Sequence, residues 1–293
     1  MPDGFHEIAA DADVVRAAVT RGLVNHSISG RDMPVAAIRL YRRDAIVTKS
    51  LPAGVIVGKF GTGGARGAIE EFSMKSRYRL LHTIKNASAD FFCMLTVTYP
   101  AEFSTDGRQV KRHLFALKKR IIRKWPEIQG VWFLEFQRRG APHFHVLLSL
   151  KLWEVGPLVE RTRRHNKLGV RKYRTHLLTE QIVSRWWFEI VGSGDEKHLR
   201  AGVALECIEE ENGALRYAAC HASKPHQKRV PKDYQNVGRF WGVIGGVKAS
   251  LIDVIPASAE MIFETLGADA MSRKGRVKKY LWDASQMFTG AEE

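Results

Sequence analysis

Val131-Trp132-Phe133-Leu134-Glu135-Phe136-Gln137-Arg138-Arg139-Gly140-Ala141-Pro142-His143-Phe144-His145-Val146-Leu147-Leu148 is the stretch whose reading decides the fold. Two apolar runs of strand length flank Arg138-Arg139-Gly140-Ala141-Pro142, whose Gly and Pro read as a turn. The pattern therefore predicts a β-hairpin. Residues two apart on a strand share a face, so His143 and His145 project side by side while Phe144 turns into a core. A hairpin closed at Gly140 brings the Glu135 carboxylate across to both imidazoles. Gln137 lies on the same strand face and is the alternative third group. Two histidines and a carboxylate with open positions suit a divalent metal that acts on substrate better than one that only holds a fold.

Working outward, the chain of 293 residues carries 46 Lys+Arg against 31 Asp+Glu, a formal charge of +15. Such an excess favours a polyanionic partner, nucleic acid first and an anionic membrane second. A merely soluble basic protein is the plainer explanation of the charge alone. At 45% hydrophobic residues the chain can bury a real core, which argues against wholesale disorder. Cys93, Cys207 and Cys220 are odd in number and form no CxxC pair, so neither a disulfide framework nor a zinc ribbon is expected. No apolar run approaches the ~18 residues of a membrane span. The opening MPDGFHEIAADADVV lacks the apolar stretch of a secretory leader. The expectation is a cytoplasmic protein without a membrane partner.

Residues 1–70 say least. Val35–Tyr41 and Val55–Gly58 are β-prone, and from Ala68 to about Lys85 the pattern turns helical. Phe91–Tyr99 reads as a buried strand stopped by Pro100. Over residues 109–125, Val110, Leu114, Leu117, Ile121 and Trp125 recur at helical spacing opposite a strongly basic face. Residues 161–174 are basic and read as a loop. A helix is expected from Thr179 to Ile190, a strand over Val203–Ile208 and a helix from Ala214. A strand over Ser250–Ile255 and a helix from Ala257 to about Gly267 follow. The sum is an α+β fold with a central, largely antiparallel sheet flanked by helices.

Two further segments carry chemistry. Tyr217, His221 and Lys224 stand at i, i+4 and i+7 on a predicted helix ended by Pro225, so they share one face. A free phenol has a pKa near 10 and is a weak nucleophile at neutral pH. A base and a cation beside it, with a metal polarising a phosphate, make it competent for phosphoryl transfer. The plain alternative is a packed tyrosine. In Gly238-Arg239-Phe240-Trp241-Gly242, Arg239 can grip a phosphate and the aromatics can stack on a base. An aromatic pair packed at a tight turn explains the same residues. Arg138 and Arg139 in the hairpin turn are the other candidate DNA contacts.

Taken together these residues resemble the HUH endonucleases, the rolling-circle replication initiators of plasmids and single-stranded DNA phages. His143-Phe144-His145 matches the family's His-hydrophobic-His motif, and Leu95-Thr96-Val97-Thr98 resembles its first motif strand. Tyr217–Lys224 resembles its tyrosine motif, whose phage form is Tyr-x-x-Lys-Tyr-x-x-Lys. Here Cys220 stands for the first lysine and His221 for the second tyrosine, which makes a single-tyrosine variant. Gly238–Gly242 and the Trp186-Trp187 helix resemble the phage-type subgroup. The likeness spans roughly residues 73–243.

The resemblance implies a layout of an N-terminal extension of unknown role (1–70), an HUH endonuclease domain (71–245) and a C-terminal strand–helix tail (246–293). It implies Mg²⁺ or Mn²⁺ on His143 and His145 with Glu135, and Tyr217 attacking single-stranded DNA at a replication origin. The products would be a 5′-phosphotyrosine and a 3′-OH that primes synthesis, with the strand later rejoined. Transposases and mobilisation relaxases share this chemistry. A non-catalytic nucleic-acid-binding protein would use the basic surface alone. The chain has no GxxxxGK[ST] loop, so a host helicase and polymerase in a bacterial cytoplasm are the expected partners.

Overall fold

The computed structural model describes residues 36–43, 45–49, 69–165, 169–209, 213–223, 229–257 and 280–281. In chain order the elements are β1 (Ala36–Tyr41), β2 (Ala45–Lys49), α1 (Met74–Lys85), β3 (Cys93–Thr98), α2 (Gly107–Lys124) and β4 (Gly130–Phe136). Next come β5 (Pro142–Leu148), α3 (Leu152–Val155), β6 (Val159–His165), β7 (Gly169–Thr175), α4 (Leu177–Val191) and α5 (Glu196–Ala201). The series ends with β8 (Val203–Cys207), α6 (Gly213–Ser223), β9 (Trp241–Ile244), β10 (Leu251–Ala257) and β11 (Tyr280–Leu281).

The chain divides into two compact units. One contains residues 1–66, 85–87 and 248–293. Its described strands form a four-stranded sheet in the order β10-β1-β2-β11, so segments more than 200 residues apart pair directly, Ala36 with Ala257 and Ile38 with Ile255. Val55–Gly58 and the helix expected after Ala257 lie outside the described residues, although Ala257 itself ends β10.

The other unit, residues 67–84 and 88–247, is built on a five-stranded antiparallel sheet in the order β8-β3-β5-β4-β9. The hairpin expected at Glu135–His145 is its centre. Gln137 N–H donates to the Ala141 carbonyl (2.9 Å) and Gly140 N–H to the Gln137 carbonyl (2.8 Å). Gly140 takes φ +82°, a left-handed conformation that glycine adopts without steric cost.

One sheet face carries Leu95, Val97, Trp132, Leu134, Phe144 and Val146, all buried, and α2 covers it. Asp106 caps α2 by accepting from Arg108 N–H (3.0 Å), and Val110, Leu114, Leu117 and Ile121 form its buried stripe. Lys111 of this helix lays its Nζ 4.6 Å from the Trp132 ring centroid and 5.3 Å from that of Phe144, donating to the Arg239 carbonyl (2.6 Å). Burial there pushes its pKa down to about 7. Gly242 allows β9 to pass under Trp132, because a Cβ at that position would meet the indole at 2.9 Å.

Residues 161–174 are not a loop. Seven-residue β6 and β7 pair with each other alone, in a separate two-stranded sheet. Seven basic residues hide the strand signal there, because β-alternation is recognised by its apolar half and this ribbon has almost none.

Candidate catalytic site on the central strand

β5 has neighbours on both sides, so each of its histidines has a defined partner left and right. Across the sheet His145 stands between Phe133 of β4 and Thr96 of β3, and His143 between Glu135 and Thr98. The two imidazoles lie edge to face with centroids 4.6 Å apart, and the Phe133 ring stacks on that of His145 at 5.0 Å. Thr96 Oγ1 is 3.1 Å from His145 Nδ1, and Thr98 Oγ1 is 2.9 Å from His143 Nδ1. Glu135 Oε2 is 3.2 Å from His145 Nε2. His145 is 1% exposed and Glu135 4%. A carboxylate so far from bulk water needs a donor or a cation beside it.

A carboxylate only accepts, so against Glu135 the His145 proton sits on Nε2 and Nδ1 accepts from the Thr96 hydroxyl. A hydroxyl also accepts. Were a cation to take the place of that proton, the same threonine would accept from Nδ1–H and leave the Nε2 lone pair to the ligand. Thr98 can do the same for His143. Hydroxyls behind the imidazoles are the kind of outer support that orients metal-binding histidines.

Tyr217 reaches this cluster from α6. Its hydroxyl is 3.4 Å from His145 Nδ1, and the ring centroids are 5.6 Å apart. Buried Ala214, Leu215, Ala218 and Ala219 anchor the helix around it. The chain thus brings Glu135, His143, His145 and Tyr217 together. Lys224 and the side chain of His221 lie outside the described residues.

The end of β3 is fixed from behind. Its Thr98 carbonyl accepts from Trp187 Nε1–H (2.8 Å) and from His198 Nε2 (2.9 Å). A carbonyl cannot donate, so His198 carries its proton on Nε2, and Nδ1 faces the Ser193 hydroxyl (2.8 Å). Burial holds the His198 pKa below its ordinary value, which keeps the ring neutral. Trp187 is fully buried and meets Tyr99 edge to face at 5.1 Å. Trp187 is marked in the sequence only through the resemblance of the Trp186-Trp187 helix to the phage-type subgroup, with no role attached, and nothing in the sequence marks His198.

The three arginines fall differently. Arg139 donates to the carbonyls of Tyr99 (2.6 Å), Pro100 (2.6 Å) and Ala101 (3.1 Å), and its Nε donates to Gln137 Oε1 (3.0 Å). It ties the hairpin turn to the exit of β3 and engages Gln137. Arg138 is exposed. Arg239 is exposed too, while its neighbour Phe240 is core, stacked on Phe72 at 5.1 Å. Trp241 donates its indole N–H to Ser76 Oγ (3.1 Å). Glu206 was missed altogether. It is 5% exposed on β8, opposite Met94, on the same sheet face as the histidines and one row beyond Ala204. A single carboxylate inside an apolar strand is the signal that marks it.

Among the described residues, no three His, Cys, Asp or Glu side chains form a ready-made metal cluster. One pair of the donors has a spacing that a divalent ion also accepts. At ligand distances of 2.0–2.2 Å, two donors at right angles on one ion are about 3 Å apart, and the His145 Nε2 to Glu135 Oε2 separation is 3.2 Å.

Fold and site define an α+β protein whose central antiparallel strand displays a His-Phe-His pair beside a carboxylate and a tyrosine. A family model for the replication-associated protein ORF2/G2P matches residues 92–199, a little over a third of the chain. That span holds β3 through the start of α5, and with them Thr96, Thr98, Glu135, His143, His145, Trp187 and His198, but not Tyr217. The match supports a role in replication initiation. No curated protein and no solved structure matches the chain. No helix among the described residues is long and apolar enough to cross a membrane.

Proposed function

We propose that the protein is an HUH-type replication initiator that nicks and rejoins single-stranded DNA at an origin through Tyr217. The observation that carries this reading is the placing of the Tyr217 hydroxyl 3.4 Å from His145, within the Thr96–His145–Glu135 arrangement. The family match over residues 92–199 supports the replication side of it.

His143, His145 and Glu135 would hold Mg²⁺ or Mn²⁺, which when bound polarises the scissile phosphate and offsets its charge. Thr96 and Thr98 orient the two imidazoles. Tyr217 Oη attacks phosphorus, the bond to the 3′ oxygen breaks, and that oxygen leaves with the bonding electron pair and takes a proton from water to become the 3′-OH. The phenolic proton passes to His221, one helical turn on from Tyr217 in the sequence. Lys224, on the same predicted face, favours the phenolate. Rejoining reverses these steps, because the phosphotyrosine retains the energy of the broken bond. Arg138 and Arg239, both exposed, would meet the sugar–phosphate backbone. The partners are origin single strands with a host helicase and polymerase.

The test is incubation of labelled single strands from the parent DNA with the protein and Mn²⁺, followed by a denaturing gel. A covalent protein–DNA band that chelator prevents is expected. Cleavage with no covalent band, or no cleavage across the whole parent sequence, overturns the reading.

A further inference from the structure

We propose that Cys93 and Cys207 are a modification site: a thiol pair that a low-molecular-weight disulfide oxidises to a cross-strand disulfide, stapling β8 to β3. More than a hundred residues separate the two, so no short cysteine motif reveals them.

Both are free thiols, and in the register they stand directly opposite each other, Cys93 on β3 and Cys207 on β8. The ladder fixes the kind of pair. Ile208 N–H donates to the Phe92 carbonyl (2.8 Å), and Thr98 N–H donates to the Gly202 carbonyl (2.8 Å). Residues 92 and 98 thus turn main-chain groups toward β8, and by alternation Cys93 turns its own toward β5. Cys93 and Cys207 therefore form a non-hydrogen-bonded pair, in which side chains are closest and Cα atoms are about 4.5 Å apart. A disulfide spans Cα separations of about 4.4–6.8 Å. Their side chains share the sheet face of Leu95 and Leu205.

Directly opposed Cβ atoms lie about 4.5–5.5 Å apart, and a disulfide needs about 3.5–4.5 Å. β8 is at the edge of the five-stranded sheet, with a ladder on one side only, so it can supply the difference while β3 stays held on both sides. Cys93 is fully buried and Cys207 half-buried, so the oxidant enters at Cys207. Burial is the main cause that pushes both thiols up, and the neighbouring Cys207 pushes Cys93 further. Such thiols stay protonated at neutral pH, which makes this a slow staple rather than a catalytic dithiol.

The exchange balances with glutathione disulfide as oxidant. The Cys207 thiolate attacks one glutathione sulfur, the S–S bond breaks and one glutathione thiolate leaves. The Cys93 thiolate then attacks Cys207 Sγ and expels the second. Two electrons pass to the oxidant, and the two protein thiol protons end on the two glutathiones. The chain runs from β8 into α6, so the staple fixes the strand from which the Tyr217 helix departs.

The test incubates the folded full chain with excess glutathione disulfide, alkylates the remaining thiols and digests without reductant. One linked peptide pair containing Cys93 and Cys207 is expected, with Cys220 alkylated and the intact mass lower by two hydrogens before alkylation. Dithiothreitol should reverse the link. Oxidised protein should melt about 5 °C above reduced protein, and Cys207→Ser should abolish that difference. Should Cys207→Ser not fold, Cys207→Ala serves the same comparison. Glutathione retained on Cys207 as a stable mixed disulfide overturns the proposal. So does a link through Cys220, three free thiols at equilibrium, or a melting temperature that oxidation leaves unmoved. None of these readouts depends on nicking.

Discussion

Thr98 and His143 face each other across β3 and β5, with the hydroxyl 2.9 Å from Nδ1 and the Thr98 carbonyl held by both Trp187 and His198. One residue thus links the imidazole to the buried layer behind the sheet. Thr98→Val keeps the shape and removes the hydroxyl. Loss of such outer support costs metal sites 10–100-fold in affinity or activity. A fall of about that size in Mn²⁺ affinity and in adduct yield is expected, with near-normal single-strand binding. Unchanged Mn²⁺ affinity would show that Thr98 does not orient His143.

For Tyr217→Phe the expectation is complete loss of the covalent adduct with DNA binding intact. The change removes one oxygen, and the melting temperature should stay close to that of the parent protein. Peptide mapping of the trapped wild-type adduct should place the nucleotide on the peptide containing Tyr217. Finding it on Tyr234 or Tyr173 instead would move the nucleophile.

Gly242→Ala tests packing rather than chemistry. The added Cβ would lie 2.9 Å from the Trp132 ring, which Phe144 and Lys111 also hold. Overpacking of this kind costs about 1–3 kcal/mol. Chemical denaturation should show that loss, and a neutral outcome would mean that β9 shifts freely.

The response to acid follows from His113 and His198. Burial is the largest cause of a lowered pKa at both, joined at His113 by the charge of Arg112. Below the ordinary histidine value of 6.5 the unfolded chain takes up protons that the folded chain refuses, so stability falls as pH falls through that window. Melting temperature should decline from about pH 6.5 downward, and His113→Gln/His198→Gln should flatten the decline. An equally steep fall in the double variant would assign it to other groups.

The hairpin and its histidine pair are legible because two apolar runs and an Arg-Arg-Gly turn specify one register, and the register places Glu135 opposite His143. Helix α2 is legible for a similar reason, its apolar stripe recurring at helical spacing. What escapes has a different cause in each case. Thr96 and Thr98 look like ordinary strand formers until the strand facing them is known. The β1–β10 pairing joins segments more than 200 residues apart, which no local window reports. Arg139 reads as a free cation in a turn, yet it is spent on three backbone carbonyls.

His143 and His145 sit on the middle strand of five, with ladders on both sides. Edge strands can fray one at a time, but a central strand is released only when the sheet opens as a whole. Amide hydrogens along β5 should therefore exchange with solvent at the slowest rates in this unit, set by global unfolding. The imidazole pair would keep its geometry up to the melting transition, so thermal inactivation short of that point should be traced to α6, which delivers Tyr217.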